Sequence, residues 1–207
     1  MLKNYKFFSN NIDKIQHYFK YTTFTILGYN DKARSHALNL KDNGLNVIIG
    51  TTEHNYNMAI TDGFTTNINL YGLDTATIKG DIIMNLLSEE DQKQTWNKYI
   101  LPYLDKNKTL YFANGFNIVF KDHTKINPPK NMDVVMVVPQ CTDKMVRSLY
   151  LKNGIIRSNI AIYQDYSGYA EQNAIYIGYA IGSKKLYKTT FINEVYNNLI
   201  KDLKKIN

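Results

Sequence analysis

Residues 22–50 read TTFTILGYNDKARSHALNLKDNGLNVIIG, and this stretch decides the fold. It begins with the β-branched run TTFTIL, which ends in Gly28 as a buried strand does where it enters a tight turn. From Asp31 to Asp42 apolar residues recur with helical spacing, and Gly44 stands where a C-terminal cap is expected. The second apolar run, LNVII, completes a strand–turn–helix–strand unit, which is typical of parallel α/β proteins.

The same alternation continues along the chain. Further strands are predicted at 81–87, 109–113, 133–138, 159–163 and 186–190, and helices at 73–79, 89–104 and 172–181, with another segment near 57–63. Strands with little polar alternation, separated by helices, predict a Rossmann-type, doubly wound and mostly parallel sheet with helices on both faces. In such sheets a ligand lies outside the carboxyl ends of the strands.

Length and composition predict one domain of ordinary globular type, since the chain has 207 residues, 44% of them hydrophobic. The lack of a long apolar run and of a signal-like start predicts a soluble cytoplasmic protein without membrane contact, and the single Cys141 agrees with a reducing compartment. The net charge of +7 would suit nucleic acid, but the lysines are scattered. We therefore expect no nucleic-acid partner.

Several segments resemble, in order, the ketol-acid reductoisomerase family. The first turn and helix are similar to the family's G-Y-G-S-Q-G followed by A-H-A-L-N-L. The later matching segments are DIIMNLLSEEDQ, TLYFANGFNIVF, PPKNMDVVMVVPQ, IAIYQDYSG and TTFINE. They cover almost the entire chain, so chance is a poor explanation for the resemblance.

The resemblance implies an enzyme of valine and isoleucine synthesis. Such enzymes use Mg²⁺ for an alkyl shift in a 2-acetohydroxy acid and NADPH for the reduction that gives a 2,3-dihydroxy acid. It implies a dinucleotide-binding domain over residues 1–190 and, at 191–207, a short C-terminal helix that is the first helix of a helical domain not contained in this sequence. A separate chain could supply that domain; the oligomeric state is not predicted.

Three glycines shape the family's dinucleotide turn, and their positions here are Gly28, Asn30 and Ala33. Asn tolerates left-handed geometry, but its Cβ would crowd a phosphate. The charge of Asp31 opposes an anion, while Lys32 and Arg34 could offset that charge. The candidate cofactor-binding residues of this turn are Gly28, Tyr29, Asn30, Asp31, Lys32 and Ala33. Weak binding and a turn that no longer binds nucleotide well are both compatible with them.

The next two loops also depart from the family. Where the family has an arginine and serines for the 2′-phosphate of NADPH, this sequence has Thr52, Asn55 and Asn57 beside Glu53, so NADH is not excluded. Further along, SEEDQ resembles P-D-E-x-Q. It gives the candidates Glu89, Glu90, Asp91 and Gln92. A helix capped by Ser88, with acidic residues in its first turn, explains the same letters without a cofactor.

The chemistry-bearing positions are substituted. Asn114 stands at the family's catalytic His and Gln140 at its Lys, and a carboxamide exchanges no proton near neutral pH. The family's two metal-ligating carboxylates become Asn198 and Asp202, which leaves one carboxylate. An amphipathic terminal helix explains the same region without a metal.

Two functions follow as alternatives. The first is a diverged reductoisomerase component that is impaired or inactive as an isolated chain. The second is a non-catalytic, degenerate Rossmann protein or interaction subunit. Cofactor binding and turnover of 2-acetolactate would distinguish them.

Overall fold

The structure is a computed structural model that describes residues 4–6, 12–52 and 55–206. Its strands are β1 (Asn4–Lys6), β2 (Thr23–Leu27), β3 (Asn46–Gly50), β4 (Leu70–Tyr71), β5 (Ile82–Asn85), β6 (Thr109–Phe112), β7 (Asp133–Pro139), β8 (Ile156–Gln164) and β9 (Ser183–Lys188). Its α-helices are α1 (Ile12–Tyr18), α2 (Asp31–Asp42), α3 (Tyr56–Thr61), α4 (Leu73–Lys79), α5 (Glu89–Thr95), α6 (Phe116–Val119), α7 (Lys121–Thr124), α8 (Asp143–Leu151), α9 (Ala170–Ala180) and α10 (Phe191–Ile206).

The nine strands form one sheet in the order β1-β9-β8-β7-β6-β5-β2-β3-β4. The strands from β7 through β6, β5, β2 and β3 to β4 are parallel. The predicted doubly wound class is therefore confirmed. The exceptions are β8 and β9, which are parallel to each other and run antiparallel to β7. At the edge, β1 pairs antiparallel with β9 and therefore runs in the same direction as β7. An apolar strand does not show its direction, so the sequence pattern could not reveal these reversals.

Several element boundaries were predicted well. Helices α2 and α4 have the predicted limits, and β2 and β6 differ from the prediction by one residue at one end. The single helix predicted over 89–104 is wrong. It is α5, then a π-helical turn at Trp96–Ile100, then a 3₁₀ turn at Leu101–Tyr103 that contains Pro102. Proline lacks the N–H that a continuing α-helix needs, which explains the break.

Two hydrophobic layers cover the two faces of the sheet. One contains α2 and α9 residues such as Ala37 and Ala174 packed on Ile26 and Met84. The other contains Trp96, Ile118 and Phe191 packed on alternate strand residues such as Ile83. Because side chains alternate across a strand, β5 contributes to both layers.

Helix α10 joins the sheet domain through its first two turns, where Phe191, Glu194 and Val195 are buried. Along its remainder, apolar side chains are exposed, including Leu199, Ile200 and Leu203. Across 12–52 and 55–206 we find no helix with the length and apolar character needed to cross a membrane.

Candidate functional site

The turn after β2 keeps the geometry of a dinucleotide turn. Gly28 has φ +88°, and a Cβ there would lie 3.2 Å from the backbone of Leu87. Asn30 is not left-handed, since its φ is −83°. It is the N-cap of α2, because its Oδ1 accepts from the Ala33 N–H at 3.0 Å while its Nδ2 donates to the Leu86 carbonyl at 2.9 Å. Asn30, which stands where the family has a glycine, therefore stabilises the turn by linking the end of β5 to the start of α2.

A carboxylate fixes the residues on either side of this cap. Asp62 accepts from the Tyr29 hydroxyl at 2.8 Å and from Arg34 Nε and Nη2 at 2.6 and 2.7 Å. The Arg34 pairing is the main cause that lowers the pKa of Asp62. Burial, followed by the bond to Asp62, raises the pKa of Tyr29. Arg34 does interact with the charge of Asp31, as expected, but its guanidinium is hydrogen-bonded to Asp62.

The remaining charges at the turn are held loosely. Lys32 Nζ lies 3.8 Å from the Asp143 carboxylate, and Asp31 lies 3.8 Å from Lys144 Nζ. Both pairs are partly exposed and contribute little to stability. Lys32 is therefore the cation at this edge that an entering anion could recruit at small cost.

The loop after β3 places its candidate residues at the same sheet edge. The Asn55 N–H donates to the Thr52 carbonyl at 3.0 Å, which folds the loop back on itself, and Asn57 lies in the first turn of α3. Thr52, Asn55 and Asn57 do not line the clefts at the carboxyl ends of β5, β6 and β7. Glu53 lies outside the described residues. Between 51 and 57, the described part of the loop holds polar but uncharged residues.

The next loop confirms the helix-cap interpretation of SEEDQ. Ser88 Oγ accepts from the Asp91 N–H at 3.1 Å and caps α5. Glu90 is exposed and pairs with Lys93 at 3.1 Å, so its contact is local. Glu89 has a different partner, since it accepts from Asn114 Nδ2 at 2.7 Å.

Two adjoining clefts open at the carboxyl ends of β5, β6 and β7. The first, of about 110 Å³, lies between the turn after β2 and the start of α5. The second, of about 320 Å³, extends from β6 to α10. Both are lined by Lys32, Ala113, Asn114 and Asp143. A larger cavity of about 370 Å³ lies where the end of α2 meets the start of β9, beside Asn43 and Ser183, and contains none of the candidate residues.

Asn114 and Gln140 both reach the second cleft, but each is tied to a carboxylate. Beyond its bond to Glu89, Asn114 accepts from the Phe116 N–H at 2.8 Å. Gln140 Nε2 lies 3.2 Å from Glu194 Oε1. These carboxamides preserve the scaffold of the site, but they cannot exchange protons near neutral pH.

Glu194 is a site residue that the sequence reasoning missed. It is buried, and its carboxylate also accepts from Asn159 Nδ2 at 2.7 Å. The signal was present, because Glu194 lies in the quoted segment TTFINE, but only the tertiary structure shows that it is surrounded by carboxamides rather than by a cation.

The two metal-ligand positions are not brought together by any described contact. Asn198 Nδ2 lies 3.5 Å from Glu194 Oε1, and the side chain of Asp202 lies outside the described residues. Across the described part of the chain, no three His, Cys, Asp or Glu side chains are grouped as a metal site would require. The described residues alone therefore form no complete Mg²⁺ site.

His36 lies beneath the second cleft and is fully engaged. Its Nδ1 is 3.0 Å from the Lys32 carbonyl, and its Nε2 is 3.1 Å from the Tyr111 hydroxyl. Burial, reinforced by the charge of Lys32, lowers the pKa of His36 to about 3. At neutral pH it is an uncharged packing residue and does not replace the missing catalytic His.

Comparison with known proteins shows which family the chain resembles. Residues 18–186 match the family model described as acetohydroxy acid isomeroreductase, NADPH-binding domain. The chain is 44% identical over 189 residues to the mitochondrial ketol-acid reductoisomerase of Neurospora crassa, covering 90% of this chain and 47% of that protein. It is 42% identical over 190 residues to the ketol-acid reductoisomerase (NAD(+)) of Desulfosudis oleivorans, covering 91% of this chain and 54% of that one.

The solved structures agree. An NADH-preferring ketol-acid reductoisomerase from an uncultured archean superposes with a TM-score of 0.82 at 32% identity, over 88% of this chain and 56% of that one. The chain thus spans about half the length of the relatives it matches. Since the family model covers most of its residues, the chain belongs to the acetohydroxy acid isomeroreductase (ketol-acid reductoisomerase) family.

Proposed function

We propose that this chain is a dinucleotide-binding domain of ketol-acid reductoisomerase type that binds a nicotinamide cofactor but is inactive on 2-acetohydroxy acids by itself. The turn after β2 carries the first half of this proposal. Gly28 leaves room for the backbone bend, and the Asn30 cap leaves the first N–H groups of α2 at the open end of a twelve-residue helix. Such helix ends attract phosphate groups, and a nicotinamide dinucleotide would supply a hydride acceptor or donor when bound.

We expect the chain to bind NADH at least as tightly as NADPH. Recognition of a 2′-phosphate needs a cation near the loop after β3, and the described residues of that loop, Thr51, Thr52 and 55–57, are uncharged. Arg34 cannot serve without breaking its two bonds to Asp62. The relatives include an NADH-preferring enzyme and one named with NAD(+), beside others named with NADP(+), so NADH is compatible with the family.

The proposal that the isolated chain is inactive rests on the residues at the carboxyl ends of β6 and β7. Asn114 and Gln140 stand where the resemblance implies a His and a Lys, and both are bound to carboxylates rather than left free for a substrate. Catalytic groups that act as a unit lose most of their effect when one of them is lost. With both the His and the Lys substituted, we expect that even an added partner chain would not restore full activity.

The second candidate function is that of an interaction subunit. Exposed apolar residues follow one another along α10, at Ile192, Tyr196, Leu199 and Leu203. A stripe with this spacing is typical of a helix that packs on another protein surface. It supports the proposal that a separate helical chain docks there, with or without cofactor chemistry. Location in the cytoplasm stays a prediction, and several relatives are named as mitochondrial enzymes.

Calorimetric titration of the full chain with NADH and NADPH tests the proposal, followed by a 2-acetolactate assay with Mg²⁺. We expect binding of NADH, with NADPH no tighter, and no turnover. If neither dinucleotide binds, the cofactor proposal is overturned and the interaction subunit is the function that remains. Turnover by the isolated chain would overturn the proposed inactivity. Tighter binding of NADPH would overturn the cofactor preference alone.

A further inference from the structure

Asn85, the last residue of β5, carries a carboxamide without a partner. The residue is 1% exposed, and neither its Nδ2 nor its Oδ1 has a hydrogen-bond partner among the described residues. It lines the first cleft, the cavity of about 110 Å³ at the carboxyl edge. Buried polar groups are normally paired, so an unpaired donor and acceptor on one side chain indicate that something else pairs with them.

The other carboxamides of this cleft are already used. Asn30 donates to Leu86 and accepts from Ala33, while Gln92 donates to Leu87 and accepts from Asn117. Asn114 is paired with Glu89 and with the Phe116 N–H. The unused hydrogen-bonding capacity of these carboxamides is therefore concentrated on Asn85.

The chemistry of a carboxamide selects its partner. It presents an N–H donor and a carbonyl acceptor side by side, about 2.3 Å apart, so a second primary carboxamide can meet it with two hydrogen bonds in opposite senses. A phosphate only accepts, and a hydroxyl donates and accepts through the same single oxygen, so neither presents a donor and an acceptor side by side. The nicotinamide ring bears a primary carboxamide at its 3-position.

We propose that Asn85 is a specificity-determining residue that pairs with the carboxamide of the nicotinamide ring. The inference rests on the proposed cofactor function and goes beyond it by naming the group that this cleft recognises. Pairing at Asn85 holds the nicotinamide end of the dinucleotide at the carboxyl end of β5, beside Lys32 and Asn114, which line the same cleft.

Other unpaired atoms do not compete for this role. Thr51 Oγ1, Trp96 Nε1 and Asn117 Oδ1 also have no partner within the described chain, but none of these residues lines the first cleft. A ribose hydroxyl or an ordered water could approach Asn85 instead. The experiment therefore needs ligands that retain the ribose and change only the carboxamide.

Three ligands separate these cases in calorimetric titrations of the full chain: NADH, its reduced 3-acetylpyridine analogue, and ADP-ribose. The analogue keeps the carbonyl oxygen but lacks the amide N–H, and ADP-ribose keeps the ribose but lacks the ring. For the wild-type chain we expect the analogue to bind about three- to tenfold more weakly than NADH, the effect of one hydrogen bond.

Asn85→Leu is the variant, and Asn46→Leu is its matched control, since Asn46 is a strand residue at the opposite, amino end of the sheet. Leucine removes two unpaired buried atoms without leaving a void, so the variant is expected to melt no lower than wild type. In Asn85→Leu we expect NADH affinity to fall about tenfold or more and ADP-ribose affinity to change by less than about twofold. The preference for NADH over the analogue should disappear.

The outcomes are separable. Equal loss for NADH and ADP-ribose would overturn the inference in favour of a ribose contact, and unchanged affinities would overturn it in favour of bound water; both leave the proposed function standing. Failure of the wild-type chain to bind NADH would overturn both. If the Asn85→Leu variant does not fold, equal wild-type affinities for NADH and its analogue still overturn the inference.

Discussion

The turn after β2 and the ends of β6 and β7 lie at the same sheet edge but have tolerated substitution differently. At the turn, Asn30 replaces an expected glycine and becomes a helix cap with two good hydrogen bonds. At the β6 and β7 ends, Asn114 and Gln140 replace expected charged or titratable groups, and they too are well bonded. Both regions kept their structure. We therefore expect cofactor binding, which works through backbone N–H groups, to survive the side-chain change, and proton exchange at the β6 and β7 ends to be lost.

The largest expected effect concerns the backbone of the turn after β2. Gly28→Ala places a methyl group 3.2 Å from the Leu87 backbone at a φ of +88°. We expect the free energy of unfolding to fall by roughly 2–4 kcal/mol, with loss of dinucleotide binding. Urea unfolding and calorimetric titration measure the two effects.

Gly168→Ala is the matched control for that variant. Gly168 has a similar φ of +80°, but an added methyl group there meets no heavy atom within 4 Å. It should lose only the backbone contribution, about 1–2 kcal/mol. Equal losses in the two variants would show that crowding at Leu87 plays no part.

The second prediction concerns His36, which lies beneath the β6 and β7 ends, and the pH dependence of the free energy of unfolding. Because its pKa is about 3 in the folded chain and near 6.5 in an unfolded one, the unfolded state binds the extra proton first as pH falls. The wild-type chain should therefore lose roughly 2 kcal/mol of stability between pH 7 and pH 5 through this residue. In His36→Gln that part of the slope should vanish. The control variant His123→Gln, at an exposed histidine, should keep the wild-type slope. If His36→Gln also kept the wild-type slope, that result would contradict a buried neutral His36.

The smallest expected effect concerns the ion pair that holds Arg34 away from the cofactor. Its bonds to Arg34 keep the pKa of Asp62 below its usual range. The pair therefore stabilises the fold above about pH 4, the usual Asp range, and loses this effect as pH falls through the lower folded value. Asp62→Asn should cost about 1 kcal/mol at neutral pH, after allowance for the partly exposed Arg34, and less below pH 4.

Asp42→Asn is the control for this pair. Asp42 binds Arg147 at 2.7 Å, but its side chain is 41% exposed against 9% for Asp62. Denaturant unfolding over the pH series should give a loss below about 0.5 kcal/mol for the control. A loss in Asp62→Asn that stays constant down to pH 3 would mean that the ionised carboxylate is not what stabilises the turn.

Much of the site was predictable where local chemistry decides it. The Ser88 cap and Gly44 at the end of α2 follow from residue type and spacing, because caps depend on neighbours three or four residues away. Glu194, Asp62 and Asn85 were not predictable as site residues. Their significance depends on partners, or on missing partners, that are far away in sequence.

The sequence by itself determined the parallel α/β class, the family and the identity of the substituted positions, since these depend on periodicity and on matching motifs. Only the tertiary structure decided that Arg34 faces Asp62, that Gln140 and Asn159 surround Glu194, and that β8 reverses direction. The physical reason is that hydrogen bonds and desolvation act over a few ångströms in space. Residues separated by tens of positions meet only when the sheet brings the ends of its strands to one edge.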